Sequence, residues 1–284
     1  MQGLLTLVTY AFDPLHHFWE QRRTQRAIAS GLVVAFLAAL LCVELNRRGL
    51  LPESMHWFHH TSHFYAVHLA FTLVLVLEVV HLVFALPCSI SRSVGTQFEI
   101  LSLILIRSAF KKLSAFDEPI SLVGHLEPLY QIVAAGAAAL VVFALLGVYR
   151  RLYHSEEEFK SELLFRFVAS KKLVALLMLG TFVGMGAYNA WIWLRGGAPG
   201  DFFQDFYTVL IFADILLVLV AQRYQPRFRS TFRNSGFVLA TLLIRLALTA
   251  PPYVAECMGM GSVAYAIGLT WVYNRFYRPQ SVER

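Results

Sequence analysis

Charged residues are scarce in this sequence. Asp, Glu, Lys and Arg together make up 15% of its 284 residues, whereas a soluble globular domain carries about 25%. Hydrophobic residues make up 57%, and the mean hydropathy is +0.58. Because so few polar side chains cannot cover so large an apolar fraction, the composition excludes an ordinary soluble domain. We predict an all-α polytopic membrane protein whose surplus apolar side chains face the lipid bilayer.

Cysteine is scarce as well. The three cysteines, Cys42, Cys88 and Cys257, lie in or beside apolar runs without metal-type spacing, which argues against a disulfide framework. The sequence also lacks a nucleophile elbow, a phosphate-binding loop and a dinucleotide-binding fingerprint. These absences favour a protein that is not an enzyme.

Long apolar runs predict about eight transmembrane helices. A helix needs about 20 apolar residues to cross the hydrocarbon layer. The clear candidates are 27–46, 64–87, 129–149, 171–194, 204–222 and 254–273. Two runs are less clean: 95–113, which contains Arg107, and 234–250, which contains Arg245. The sequence before the first run predicts an interfacial segment, with Leu4, Leu5, Leu7, Val8 and Phe12 in the headgroup region and Phe18 and Trp19 as anchors.

The positions of the basic residues predict the orientation of these helices. The net charge of +6 comes from residues at the ends of apolar runs, a pattern that orients helices and does not indicate a nucleic-acid partner. With eight spans, both termini lie on the more basic side, which is predicted to be the cytoplasm. If 95–113 is interfacial instead, seven spans put the N-terminus outside, but the basic bias is then weaker.

Short motifs recur in the same order in the two halves of the chain. FYAV at 64–67, RSVG at 92–95, ILIR at 104–107 and VYRRLY at 148–153 are matched by FYTV at 206–209, RNSG at 233–236, LLIR at 242–245 and VYNRFY at 272–277. The shared order predicts two parallel four-helix repeats, related by an axis along the membrane normal. The predicted division is an interfacial segment 1–25, repeats 26–153 and 172–277, a cytoplasmic linker 154–171 and a tail 278–284.

Four charged residues fall inside predicted spans. Counted at about 1.5 Å per residue from the cytoplasmic ends, Glu78 and Arg107 lie roughly 15 and 18 Å deep, and Asp214 and Arg245 roughly 14 and 17 Å. Adjacent antiparallel helices therefore bring an acid and an arginine to matching depth in each half. Two interpretations stay open, because the pairs either clamp helical hairpins or line an ion path.

Histidine forms the second candidate site. His56, His59, His60 and His63 follow an i, i+3, i+4, i+7 pattern, which on a helix presents four imidazoles on one face. Such a face suits a transition metal such as zinc or copper. The alternatives are interfacial histidines without a metal, or a haem site at two further histidines thirteen residues apart, His68 and His81. HWFHH also matches one desaturase histidine box, but the sequence contains no other box.

The acid-then-arginine pattern resembles the phosphate-starvation-inducible E (PsiE) family of four-helix bacterial membrane proteins. The stretch from Asp214 through Arg223, Arg233 and Gly236 to Arg245 is similar to the family's pattern, and Glu78 to Arg107 looks like a weaker copy. The resemblance implies a tandem bundle in a bacterial inner membrane. It implies no biochemical activity.

These patterns lead to three functional hypotheses. The first is a channel- or transporter-like protein for a small ion that uses the four intramembrane charges. The second is a metal- or haem-binding redox subunit that uses the histidine face. The third is a structural subunit of a membrane complex, and the sequence leaves open whether the chain also forms a homo-oligomer.

Overall fold

The protein is all-helical in every part that the computed structural model describes, which is residues 2–49, 62–87, 90–116, 126–152, 161–197, 200–224 and 228–277. This agrees with the predicted fold class. The helices are α1 (Gln2–Glu20), α2 (Arg22–Arg47), α3 (Phe64–Ala85), α4 (Ile90–Lys111), α5 (Leu126–Leu152), α6 (Ser161–Leu194), α7 (Phe202–Tyr224), α8 (Phe228–Thr249) and α9 (Val254–Tyr277), with a 3-10 turn at Lys112–Ala115.

Six of the described helices are long and apolar enough to cross a membrane: α2, α3, α5, α6, α7 and α8. The chain is therefore a helical membrane protein. The remaining two predicted spans, 95–113 and 254–273, fall on α4 and α9, which are helical but carry more polar and small residues. The number of eight spans stays a prediction.

The least apolar of the six spans, α8, is the one that protein covers most. α4, α5, α8 and α9 pack together, α3 joins α4, and α7 joins α8. The apolar window of α8 has a mean hydropathy of 1.2 and is 44% buried, whereas that of α2 has a hydropathy of 2.4 and is 11% buried. Side chains such as Val34, Leu140, Phe143 and Phe212 remain exposed on the outside. This distribution suits a bundle whose outer surface contacts lipid, because polar groups are costly there.

Helix α1 differs from the interfacial segment predicted from the sequence. It packs against α6 and α2, and Leu5, Val8 and Phe12 are buried against protein. The ring of Phe12 lies 5.7 Å from that of Phe84, between centroids. The burial of these three side chains differs from the predicted headgroup location because their spacing also forms a stripe for helix packing, and an interfacial position of the segment as a whole stays a prediction. Leu7 and Phe18 on the other side of α1 are exposed.

Helix α6 begins earlier than predicted. It starts at Ser161, so residues 161–171 of the predicted linker are helical. The acidic run 156–158 suggested a solvated connection but lies outside the described residues, whereas 161–171 contains helix-favouring Leu, Glu and Ala and no Pro or Gly to end a helix. Lys172 near this end donates a hydrogen bond of 2.6 Å to Asp13 and so attaches α6 to α1.

Contacts at both ends of the bundle show that α5 and α9 run side by side in the same direction. Asn274 Nδ2 donates to the carbonyl oxygen of Leu152 at 2.8 Å, where both helices end. At their beginnings, the hydroxyl of Tyr253 donates to Glu127 Oε1 at 3.1 Å. We call the end that holds Leu152 and Asn274 the basic end, because the basic residues of α2, α5, α6, α8 and α9 concentrate there.

Candidate functional site

The first predicted charge pair forms between α3 and α4. Arg107 Nη1 contacts Glu78 Oε1 directly as an ion pair. The Glu78 side chain is 10% exposed and that of Arg107 is 22% exposed. An acid and an arginine thus meet where the depth count from the sequence predicts them.

The second predicted pair forms between α7 and α8 and is more deeply buried. Arg245 Nε lies 3.7 Å from Asp214 Oδ2, and the two side chains are 1% and 4% exposed. That distance is an ion pair but exceeds a hydrogen bond. Both atoms lack a hydrogen-bond partner among the described residues. The charges are therefore neutralised, while part of their hydrogen-bonding capacity is unused.

Gln97 of α4 links the second pair to the first half of the chain. Arg245 Nη2 donates to Gln97 Oε1 at 3.3 Å, and Gln97 is 2% exposed. Sequence reasoning did not identify this residue, because an uncharged amide in a helix that also carries Arg92, Glu99 and Arg107 does not stand out.

Two cavities lie on either side of Gln97. The first has a volume of about 10 Å³ and is lined by Glu78, Gln97, Tyr207 and Arg245 together with apolar side chains. A cavity of that volume has space for about one water molecule. One member of each predicted pair therefore lines the same, mostly apolar, cavity.

The second cavity extends toward the basic end. It has a volume of about 20 Å³, and its polar lining includes Gln97, Asp214, Thr241 and Lys171. Lys171 is 2% exposed, and its ammonium lies 4.1 Å from the centroid of the Phe167 ring. Lys171 belongs to the linker 154–171 that the sequence predicts to be cytoplasmic, and it was therefore not identified as a buried charge.

Buried hydroxyl groups form hydrogen bonds within their own helices. Ser102, Thr241, Ser262 and Thr270 each donate to a carbonyl oxygen three or four residues earlier in their own helix. Such bonds satisfy the hydroxyl locally. Thr241 of α8 also contacts the carboxylate of Asp214 on α7 with its side chain, so it joins the charged groups and Gln97 in linking different helices.

A second polar cluster lies at the end of the bundle opposite the basic end. Lys112 Nζ donates to Gln131 Oε1 at 2.9 Å, and Gln131 Nε2 donates to Glu127 at 2.9 Å. Tyr253 joins the cluster with a left-handed backbone (φ 68°), a conformation rare for residues other than glycine.

The predicted histidine site is only partly within the described residues. His63 Nε2 lies 3.4 Å from Glu44 Oε2, while His56, His59 and His60 lie outside the described ranges. Within those ranges, no group of three or more His, Cys, Asp or Glu residues is arranged to hold a metal ion. A metal at the four histidines therefore stays a prediction.

Comparison with known proteins adds no relative to this description. No protein-family model matches the chain, and neither a curated protein nor a solved structure matches it. The functional argument therefore depends on the site itself.

Proposed function

We propose that the protein moves a small ion across the bilayer between its first half, α2–α5, and its second half, α6–α9. The observation that carries this proposal is the link across the interface. Arg245 pairs with Asp214 in its own half, contacts Gln97 of the other half and shares a cavity with Glu78. Pairs that only clamped their own hairpins would not need this link, and intramembrane charges commonly mark ion paths.

The proposal includes eight transmembrane helices, with α4 and α9 as spans. Both helices contain polar or small residues that reduce their hydropathy. Their packing against α5 and α8 in the centre of the bundle supports this role, because a helix surrounded by protein needs fewer apolar residues to cross a bilayer.

We also propose that the two halves are parallel four-helix repeats. Each half packs its helices in the same sequential order, α2–α3–α4–α5 and α6–α7–α8–α9, and across the interface α4 contacts α8 and α5 contacts α9. The Arg-Gly step recurs where α2 and α6 end, and Gly49 and Gly196 there have φ values of 69° and 77°. Equivalent neighbours and equivalent helix ends support a duplication.

The cellular setting follows from the same proposal. A tandem relative of the PsiE family belongs in a bacterial inner membrane, and the concentration of arginine and lysine at one end supports cytoplasmic termini. This end carries the last turns of α5 and α9, with Arg150, Arg151 and Arg275.

Reconstitution tests the transport proposal. The full chain, purified into liposomes, should dissipate a membrane potential set by an ion gradient. The double variant Asp214→Asn with Arg245→Leu removes both charges of the deepest pair, and it should fold but lose at least about tenfold in flux. The matched control is Glu99→Gln with Arg150→Leu, which removes an exposed pair and should leave flux unchanged.

Two results would contradict the transport role. If the wild-type chain moves no ion, the protein is not a transporter by itself. That result would favour the hypothesis of a structural subunit of a membrane complex. If wild type conducts and the buried double variant conducts equally well, the pair is a clamp between helices, and the path lies elsewhere.

A further inference from the structure

We infer that the transported ion is a proton, with Glu78 and Asp214 as its carriers and Gln97 as the bridge between them. This inference rests on the proposed function and specifies its substrate. It depends on the size of the two cavities, on the charges around them and on the position of Gln97 in the lining of both cavities.

Size is the first argument. The cavities of about 10 and 20 Å³ each have space for about one water molecule, which Glu78 and Gln97 in the first and Gln97 and Asp214 in the second could bind. A hydrated metal ion or a halide with its water shell does not fit in such a space. A proton needs only neighbouring groups that exchange hydrogen bonds, including a single water molecule between them.

Charge is the second argument. Each carboxylate already faces a guanidinium, Glu78 with Arg107 and Asp214 with Arg245, and the ammonium of Lys171 beside the second cavity lies over the Phe167 ring. A metal ion needs several oxygen ligands and would lie beside two guanidinium groups. An anion would find both arginines already matched by a carboxylate. A proton only has to convert one carboxylate into a neutral carboxyl group.

Connection is the third argument. Gln97 lines both cavities, and its amide oxygen accepts from Arg245. The path therefore contains one carboxyl group at each cavity and an amide between them. The charged or titratable side chains around it come from five described helices: Glu78 of α3, Arg107 of α4, Lys171 of α6, Tyr207 and Asp214 of α7, and Arg245 of α8.

The transfer conserves protons and involves no redox change. A water molecule that carries an extra proton gives it to one carboxylate, which weakens that group's ion pair with its arginine. The carboxyl group then gives the proton to the water of its own cavity. Gln97, which lines both cavities, accepts a proton at its amide oxygen on one side and releases one from its amide nitrogen on the other, and the amide regains its starting form when a proton moves back from oxygen to nitrogen. The second carboxylate receives the proton from the water of its cavity and releases it. Each carboxylate ends in the state in which it began, and one proton has moved down its electrochemical gradient.

Proteoliposomes that contain a pH-sensitive dye test this inference with the full chain. A potassium gradient with valinomycin sets the membrane potential, and sodium and chloride fluxes are measured separately with the same preparation. We expect wild-type protein to acidify or alkalise the lumen according to the sign of the potential. We expect Gln97→Leu to reduce proton flux at least about tenfold, while Gln131→Leu, a matched glutamine outside the path, leaves it unchanged.

The outcomes separate this inference from the proposed function. Sodium or chloride flux without proton flux would overturn the proton inference and leave the transport function standing. No flux of any ion in wild type would overturn the transport function itself. Proton flux that is unchanged in both Gln97→Leu and the Asp214→Asn, Arg245→Leu double variant would show that protons cross by another path.

If Gln97→Leu fails to fold, Gln97→Glu provides the second variant, which should fold because it keeps the acceptor oxygen for Arg245. It should change proton flux, and an unchanged flux would also overturn the path.

Discussion

The ion pair of Asp214 and Arg245 should show strong energetic coupling. Changing only Asp214→Asn leaves the guanidinium of Arg245, which is 1% exposed, with one hydrogen bond of 3.3 Å to Gln97. Changing only Arg245→Leu leaves a buried carboxylate without its cation. Removing one partner of a buried pair destabilises a protein by about 3 to 5 kcal/mol, and we expect each single variant to lie in that range.

The double variant should be much milder than the two single variants added together. With both charges gone, the remaining loss is that of side-chain volume at Arg245, on the order of 1 to 2 kcal/mol. Since each single variant loses about 3 to 5 kcal/mol, the coupling energy should be at least about 4 kcal/mol. It can be measured from the free energy of unfolding of the four proteins in detergent micelles or bicelles.

An exposed pair supplies the control for this cycle. The Arg150 and Glu99 side chains also form an ion pair but are 60% and 40% exposed, and such pairs contribute about 0 to 1 kcal/mol. A coupling for Asp214 and Arg245 that is no larger than the coupling for Glu99 and Arg150 would refute the argument that the buried charges depend on each other.

Three further predictions concern the fold. Reporters fused after residue 120 and at the C-terminus should read periplasmic and cytoplasmic, respectively; a cytoplasmic signal at 120 would contradict eight spans. Gly236→Val should lower the free energy of unfolding by about 1 to 3 kcal/mol, because a Cβ there would lie 2.5 Å from the side chain of Leu269. The control Gly261→Val, at a position with open space around it, should lower it much less. Phe12→Ala should lower stability by about 3 kcal/mol and loosen α1 in hydrogen exchange, whereas Leu7→Ala, at an exposed position, should do neither.

Much of the fold could be predicted because membrane helices are recognised in a sequence as long apolar runs. Each of the eight predicted spans lies largely within an observed helix, and the deviations concern ends such as Ser161 of α6. Those ends depend on tertiary contacts, for example between Lys172 and Asp13, which the sequence pattern does not contain. Whether α4 and α9 cross the bilayer depends on what surrounds them, which hydropathy does not measure.

The charge pairs could be predicted for a different reason. A rise of about 1.5 Å per residue converts sequence position into depth, and matching depth on adjacent helices was enough to pair Glu78 with Arg107 and Asp214 with Arg245. The contact between Gln97 and Arg245 could not be found in this way, because the two residues are 148 positions apart in the sequence. Only the packing of α4 against α8 brings the two side chains together.

The attachment of α1 to α6 also has a consequence for biosynthesis. Asp13 and Lys172, which join the two helices, are 159 residues apart, and ribosomes add about 5 to 20 residues per second. Lys172 is therefore made roughly 10 to 30 s after Asp13. During that interval the stripe of Leu5, Val8 and Phe12 has no protein partner on α6, although Phe12 also contacts Phe84 of α3. The full packing of this stripe therefore forms only after α6 has been made.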